Sequence, residues 1–182
     1  MTKTDLLFKS NHDRIPVGCA PFGTARWDRK LGNHRALVRV TAAADAVCAY
    51  LPWRRRDAHP EAKHVMVIDA QTDKAVVNTV VATCNKEYGE IVFQPVSGTG
   101  EYYLYYLVPE EDRFGETWPR SSFPIIQYKR PQNRPAEAWM EKHGLTRQAL
   151  ESTPPPGGWH RKDRPVYPTP WRDLPLAVLI EF

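Results

Sequence analysis

The sequence predicts a mostly-β domain: an antiparallel β-sandwich, jelly-roll or immunoglobulin-like, followed by one or two short helices and a proline-rich C-terminal arm. Three observations carry this expectation. Between Arg35 and Val108, short runs rich in valine, isoleucine and tyrosine recur roughly every ten residues, with turn-forming residues between them. Those intervals leave no room for the helical crossovers that neighbouring parallel strands require. From Pro109 onward the composition changes, because most of the 17 prolines lie there, in a chain with about twice the usual proline content of roughly 5%. The domain boundaries implied are a sandwich over residues 1–130, a short helical segment over 131–152, and an arm with a terminal strand over 153–182.

Residues 1–34 read as irregular, with a short strand near Val17–Phe22. Leu37–Thr41 and Ala46–Leu51 are strands, the second stopped by Pro52. His64–Ala70 is β-branched and apolar, Gln71–Lys74 is a polar turn, and Ala75–Thr83 is one long strand. A turn at Glu87–Gly89 leads to the strand Glu90–Gln94. Ser97–Gly100 has the composition of a hairpin loop before Glu101–Val108. Pro135–His143 is a helix: proline suits its first turn, Glu137 its positive end, and Lys142 and His143 its negative end. Gly144 is its stop, and Thr146–Glu151 is a second short helix. The run STPPPGGWHRKDRPVYPTP reads as a linker or extended arm. The segment LPLAVLIEF is strand-like, and is expected either to add an edge strand to the sheet or to lead into a further domain.

With 42% hydrophobic and 25% charged residues, the chain has the balance of a globular protein. A net charge of +4 permits an acidic partner without requiring one, and it lacks the dense basic face expected for nucleic acid. Cys19, Cys48 and Cys84 are widely spaced and include no CxxC pair, which fits small buried hydrophobes in a reducing compartment. The N-terminus has no signal-like apolar stretch and no run spans a bilayer, so the chain as written reads as cytoplasmic, with no membrane partner. Phosphate-loop, dinucleotide-binding, HExxH and GxSxG patterns are all absent, so no cofactor or metal is expected.

Two constellations carry candidate chemistry. Trp53-Arg54-Arg55-Arg56-Asp57, with Glu61 nearby, follows a strand. Arginine forks grip carboxylates or hydroxyls and an indole offers a flat apolar face; the structural alternative is an arginine cluster that ties loops to Asp57 and Glu61. In Glu101–Leu107, alternation puts Tyr102, Leu104 and Tyr106 on one face and Tyr103, Tyr105 and Leu107 on the other. One set fills the core; the other is either an aromatic platform for sugar rings or rim packing. Glycoside hydrolysis needs two carboxylates about 5–10 Å apart. Asp57, Glu61, Asp69, Glu90 and Glu101 qualify by type alone. His59 and His64, near Glu61, form a weak metal pattern.

Four stretches add a family: LGNHRALVRV (31–40), YLPWRRRDAHPEAK (50–63), EIVFQPVSGTGEYYLYYLVP (90–109) and WRDLPLAVLIEF (171–182). Together they resemble the N-terminal region of large bacterial glycoside hydrolases, distant relatives of the β-N-acetylgalactosaminidase type. The resemblance implies a β-sandwich that precedes a catalytic (β/α) barrel, with the catalytic acids in the barrel and none in this chain. The function expected is therefore a non-catalytic accessory domain that binds carbohydrate or docks on its barrel. Trp53, Tyr103 and Tyr105 would stack, and Arg54, Arg55, Arg56, Asp57 and Glu101 would hydrogen-bond. The alternative is a small complete glycan hydrolase built on a pair such as Asp57 and Glu101.

Overall fold

A computed structural model describes residues 23, 25–110, 128–152 and 169–182; the strand expected near Val17–Phe22, Cys19 and much of the arm lie outside them. Eight strands form one curled sheet: β1 His34–Val40, β2 Val47–Leu51, β3 Val65–Asp69, β4 Lys74–Ala75, β5 Thr79–Cys84, β6 Gly89–Phe93, β7 Gly100–Tyr106 and β8 Leu176–Glu181. Their order is β4-β3-β7-β1-β8-β2-β6-β5. Two short helices, α1 Glu137–Lys142 and α2 Arg147–Ser152, complete a mostly-β architecture.

The alternation of side chains explains the curl. Ala36, Val38 and Val40 of β1, Val47, Ala49 and Leu51 of β2, and Tyr102, Leu104 and Tyr106 of β7 all join one interior cluster. Phe93 on β6 and Tyr102 on β7 have ring centroids 5.1 Å apart, although β1, β8 and β2 separate their strands in the sheet. The sheet must therefore bend until its two halves face each other, as the layers of a sandwich do. The outer face of the β2-β6-β5 half has its own cluster, in which Cys48 and Val92 meet Trp139 of α1, Leu145 and Trp171.

The sheet is mixed rather than purely antiparallel. β8 runs antiparallel to β1 (Val40↔Ala177) and parallel to β2 (Ala49↔Ala177). The crossover limit applies to strands close in sequence, whereas β2 and β8 are joined through most of the chain. β8 is also central, against the expectation of an edge. The expected strand over 75–83 is interrupted: β4 pairs with β3 while β5 pairs with β6. Between them the Val76 N–H donates to Val67 O (2.8 Å) and the Thr79 hydroxyl to Val76 O (2.9 Å), turning the chain from one half to the other. Ser97–Gly100 likewise closes no hairpin, because β6 pairs with β2 and β5 while β7 pairs with β1 and β3. It belongs to a crossing loop, fastened by the Tyr102 hydroxyl, which donates to Gly98 O (3.1 Å) and accepts from Ser97 N–H (3.2 Å). The Ser97 hydroxyl also bonds the buried Asp69 carboxylate. Leu107 leaves its expected face: at φ 57° it ends the alternation and enters the interior cluster.

The segment ahead of β8 is locked by Glu90, which is 0% exposed. Its carboxylate accepts from Thr83 Oγ1 (2.8 Å), Trp171 Nε1 (3.2 Å) and Arg172 Nε and Nη2 (3.0 and 3.3 Å). Removing one member of a buried pair leaves the other charge uncompensated, so Arg172→Ala should cost about 3–5 kcal/mol in urea unfolding. A loss below about 1 kcal/mol would refute this anchoring role.

Candidate functional site

The loop after β2 alternates inward and outward. Trp53 and Arg55 are buried; Arg54 and Arg56 are exposed. This zigzag is set by two backbone bonds to the β5–β6 turn, Arg54 N–H to Glu87 O (3.3 Å) and Arg55 N–H to Lys86 O (2.6 Å), and by a left-handed Arg54 (φ 44°). The Trp53 indole donates to Asn85 O (2.9 Å), lies against Gly89, and has its ring centroid 5.0 Å from that of Tyr106.

Arg55 stacks over Trp53 (4.8 Å to the ring centroid) and Tyr106 (5.5 Å). It grips Asp57 with Nε–Oδ1 at 2.9 Å and Nη2–Oδ2 at 2.8 Å, the two-pronged geometry that suits a guanidinium to a carboxylate. Lys63 Nζ reaches the same Oδ2 at 2.5 Å. Burial alone would raise the Asp57 carboxyl, but the bonds from Arg55 and Lys63 outweigh it and hold the group at about 2. Burial pushes the Tyr106 hydroxyl up to about 12 against the opposing pull of Arg55. Arg54 and Arg56 have no ion-pair partner among the described residues.

The other sequence-selected residues lie elsewhere. Tyr103 and Tyr105 share the outer face of β7 with Trp27 and Arg35. The Arg35 guanidinium is sandwiched between the Trp27 and Tyr103 rings, at 4.8 and 4.7 Å from their centroids, and pairs with Glu181 (3.4 Å). Tyr105 is 4% exposed and Tyr103 is half-buried. Glu101 forms an exposed pair with Arg39 (2.6 Å). It sits at the opposite end of β7 from Tyr106, over which Asp57's partner Arg55 is stacked. Five residues of extended strand put about 17 Å between those ends, so Asp57 and Glu101 are not brought together. His59 pairs with Glu61 (3.2 Å) on the surface, while buried His64 accepts from Gln132 N–H (3.3 Å). No group of three or more His, Cys, Asp or Glu among the described residues could hold a metal ion.

Glu90, a candidate acid by type alone in the sequence, is instead a buried anchor; the signal for that is the apolar run Ile91–Phe93 beside it, which marks a strand covered on both faces. A second polar centre, Asp45, escaped sequence reasoning. Its Oδ2 accepts from Lys142 Nζ (2.7 Å) and contacts His143 Nε2 (2.9 Å), while Oδ1 accepts from Gln94 Nε2 (2.8 Å). Bonds from Lys142 and His143 pull its carboxyl down to about 2. Nothing local in the sequence links positions 45 and 142.

Curl, buried ion pairs and covered aromatic rings together define a mostly-β domain whose polar clusters are tied into its own framework. The chain belongs to the glycoside hydrolase 123 N-terminal domain family, whose sequence model matches residues 25–155. It is thus a glycoside-hydrolase-associated domain. The match takes in β1–β7 and both helices, whereas β8 lies beyond it. No curated protein and no solved structure matches the chain.

Arg55→Ala should destabilise by about 1–3 kcal/mol, because Asp57 loses its two-pronged partner and keeps only Lys63, whereas Arg54→Ala and Arg56→Ala should each stay within about 0.5 kcal/mol; urea titrations compare them. Asp45 and Asp57 both have folded pKa values below their ordinary value of 3.8. Their contribution is complete above about pH 4 and is lost as pH falls toward 2. Thermal melts across that window should drop steeply for the native chain and less for Asp57→Asn. An unchanged slope in the variant would contradict the assignment.

Proposed function

We propose that this chain is a non-catalytic accessory domain that docks on a catalytic (β/α) barrel through the loop bearing Arg54 and Arg56. The observation that carries the reading is the zigzag of residues 53–56. The side chain suited to stacking on a sugar, Trp53, is turned inward with Arg55, and the side chains left facing solvent are two arginines with no ion-pair partner among the described residues. Exposed guanidinium forks are suited to carboxylates on a protein surface. Carbohydrate binding is a second reading, favoured by one feature: half-buried Tyr103 beside Arg35 on the outer face.

A catalytic barrel from the same family, produced separately, supplies the test. Calorimetry should detect association with this chain, and the pair Arg54→Glu with Arg56→Glu should weaken it by about a hundredfold, the order expected when close charge pairs turn repulsive, with the melting temperature unchanged. Association unaffected by both substitutions would reject docking through this loop. A glycan array run in parallel should give no signal; binding abolished by Tyr103→Ala would favour the carbohydrate module.

A further inference from the structure

Residues 169–182 are held by the rest of the domain in the way a receptor holds a peptide. Trp171 is 0% exposed within the outer-face cluster. Its indole N–H and the Arg172 guanidinium both bind the carboxylate of Glu90. The Cys48 N–H donates to Pro175 O (2.9 Å), and β8 then pairs with β2 on one side and β1 on the other. Ala177 and Leu179 pack with the interior cluster, as does Phe182, whose carbonyl accepts from Gly23 N–H (2.5 Å). The partners outside the segment itself lie within residues 23–150.

Emptying this slot would expose the facing edges of β1 and β2, two rows of unpaired backbone groups, and strand the Glu90 carboxylate. A strand bound along both edges gains main-chain hydrogen bonds along its length, and pockets for alternate side chains supply specificity. Here that specificity is concentrated at one end, where a single buried carboxylate reads an indole N–H and a guanidinium from adjacent residues.

We propose that β1, β2 and Glu90 form a strand-acceptor site that recognises the sequence Trp171–Phe182 as a peptide, whether or not it is joined to the same chain. The ligand class is an extended apolar strand headed by Trp-Arg, and the source of it in trans is a second copy of this chain. Covalent attachment favours the chain's own segment through its high effective concentration. Exchange between copies therefore becomes measurable once that attachment is cut.

The experiment starts from the folded full chain, with a site-specific protease sequence inserted after Gly158 and cut only after purification. The two pieces should remain together on gel filtration, with the circular dichroism of the uncut chain. In sub-denaturing urea, a fluorescent peptide of residues 169–182 should enter the complex and displace the native piece. The same peptide carrying Arg172→Ala should enter at least about tenfold less, the loss expected for one charge-assisted hydrogen-bonded contact. Separation of the pieces with retention of the β spectrum would overturn the proposal. So would equal uptake of the two peptides, or failure of the native peptide to enter.

Discussion

Glu90 lies on a strand apolar on both faces, and its charge can exist there only because Thr83, Trp171 and Arg172 converge on it. A carboxylate without partners in such a place would bear the full cost of its lost hydration. The strand that carries it cannot move, because Ile91 and Phe93 on the opposite face are fixed in the interior. The partners must therefore come to the carboxylate. Two of them lie far along the chain at 171 and 172, and the single-turn helix Pro170–Asp173 that presents them sets where the following strand begins. Cys48 N–H meets Pro175 O at that point, and β8 enters between β1 and β2.

That entry turns two smaller sheets into one. β1, β7, β3 and β4 make a self-consistent antiparallel set, and so do β2, β6 and β5. Two of the four loops that pass between the sets are held by side chains: Thr79 on Val76 O, and Tyr102 on the 97–98 backbone. The halves share an interior, yet among the described residues β8 is the one strand between them in the plane of the sheet. Rings such as Phe93, Tyr102 and Trp53 pack the interior, whereas continuity of the sheet depends on a segment beyond the family match, which also lends Ala177, Leu179 and Phe182 to that interior.

Much of this was legible in the residues. Strand identity followed from valine, isoleucine and tyrosine runs, and the grouping of Tyr102, Leu104 and Tyr106 on one face followed from the period of two, although which face turns inward did not. Pairing was not legible. The string AVVNTVVAT contains nothing that forbids one strand, because the bend at Val76–Asn78 is enforced by partners on β3 and by Gln94. SGTG has hairpin chemistry, but a turn composition fixes local backbone and not which strands meet. Asp45 and Glu90 look like surface acids for the same reason: their partners are distant in sequence. Within the arginine run, the residue types were evident, and the split between Arg55 and its neighbours depended on a register with Lys86 and Glu87 that no local pattern encodes.

The division of labour in that run bears on how such a loop could serve as an interface. An arginine that must meet a partner reproducibly needs a backbone that does not wander, since every immobilised rotamer adds to the cost of association. Arg55 supplies the rigidity. Its guanidinium is fixed by Asp57 on its edge and by Trp53 and Tyr106 on its faces, and Lys63 closes the same carboxylate. Arg54 and Arg56 project from either side of this fixed point. The inner arginine is spent on structure so that the outer two are presented from a preorganised frame, and a loop with three freely exposed arginines would carry more charge but less definition. In this arrangement the buried aromatic residues hold still the backbone from which the exposed charges extend.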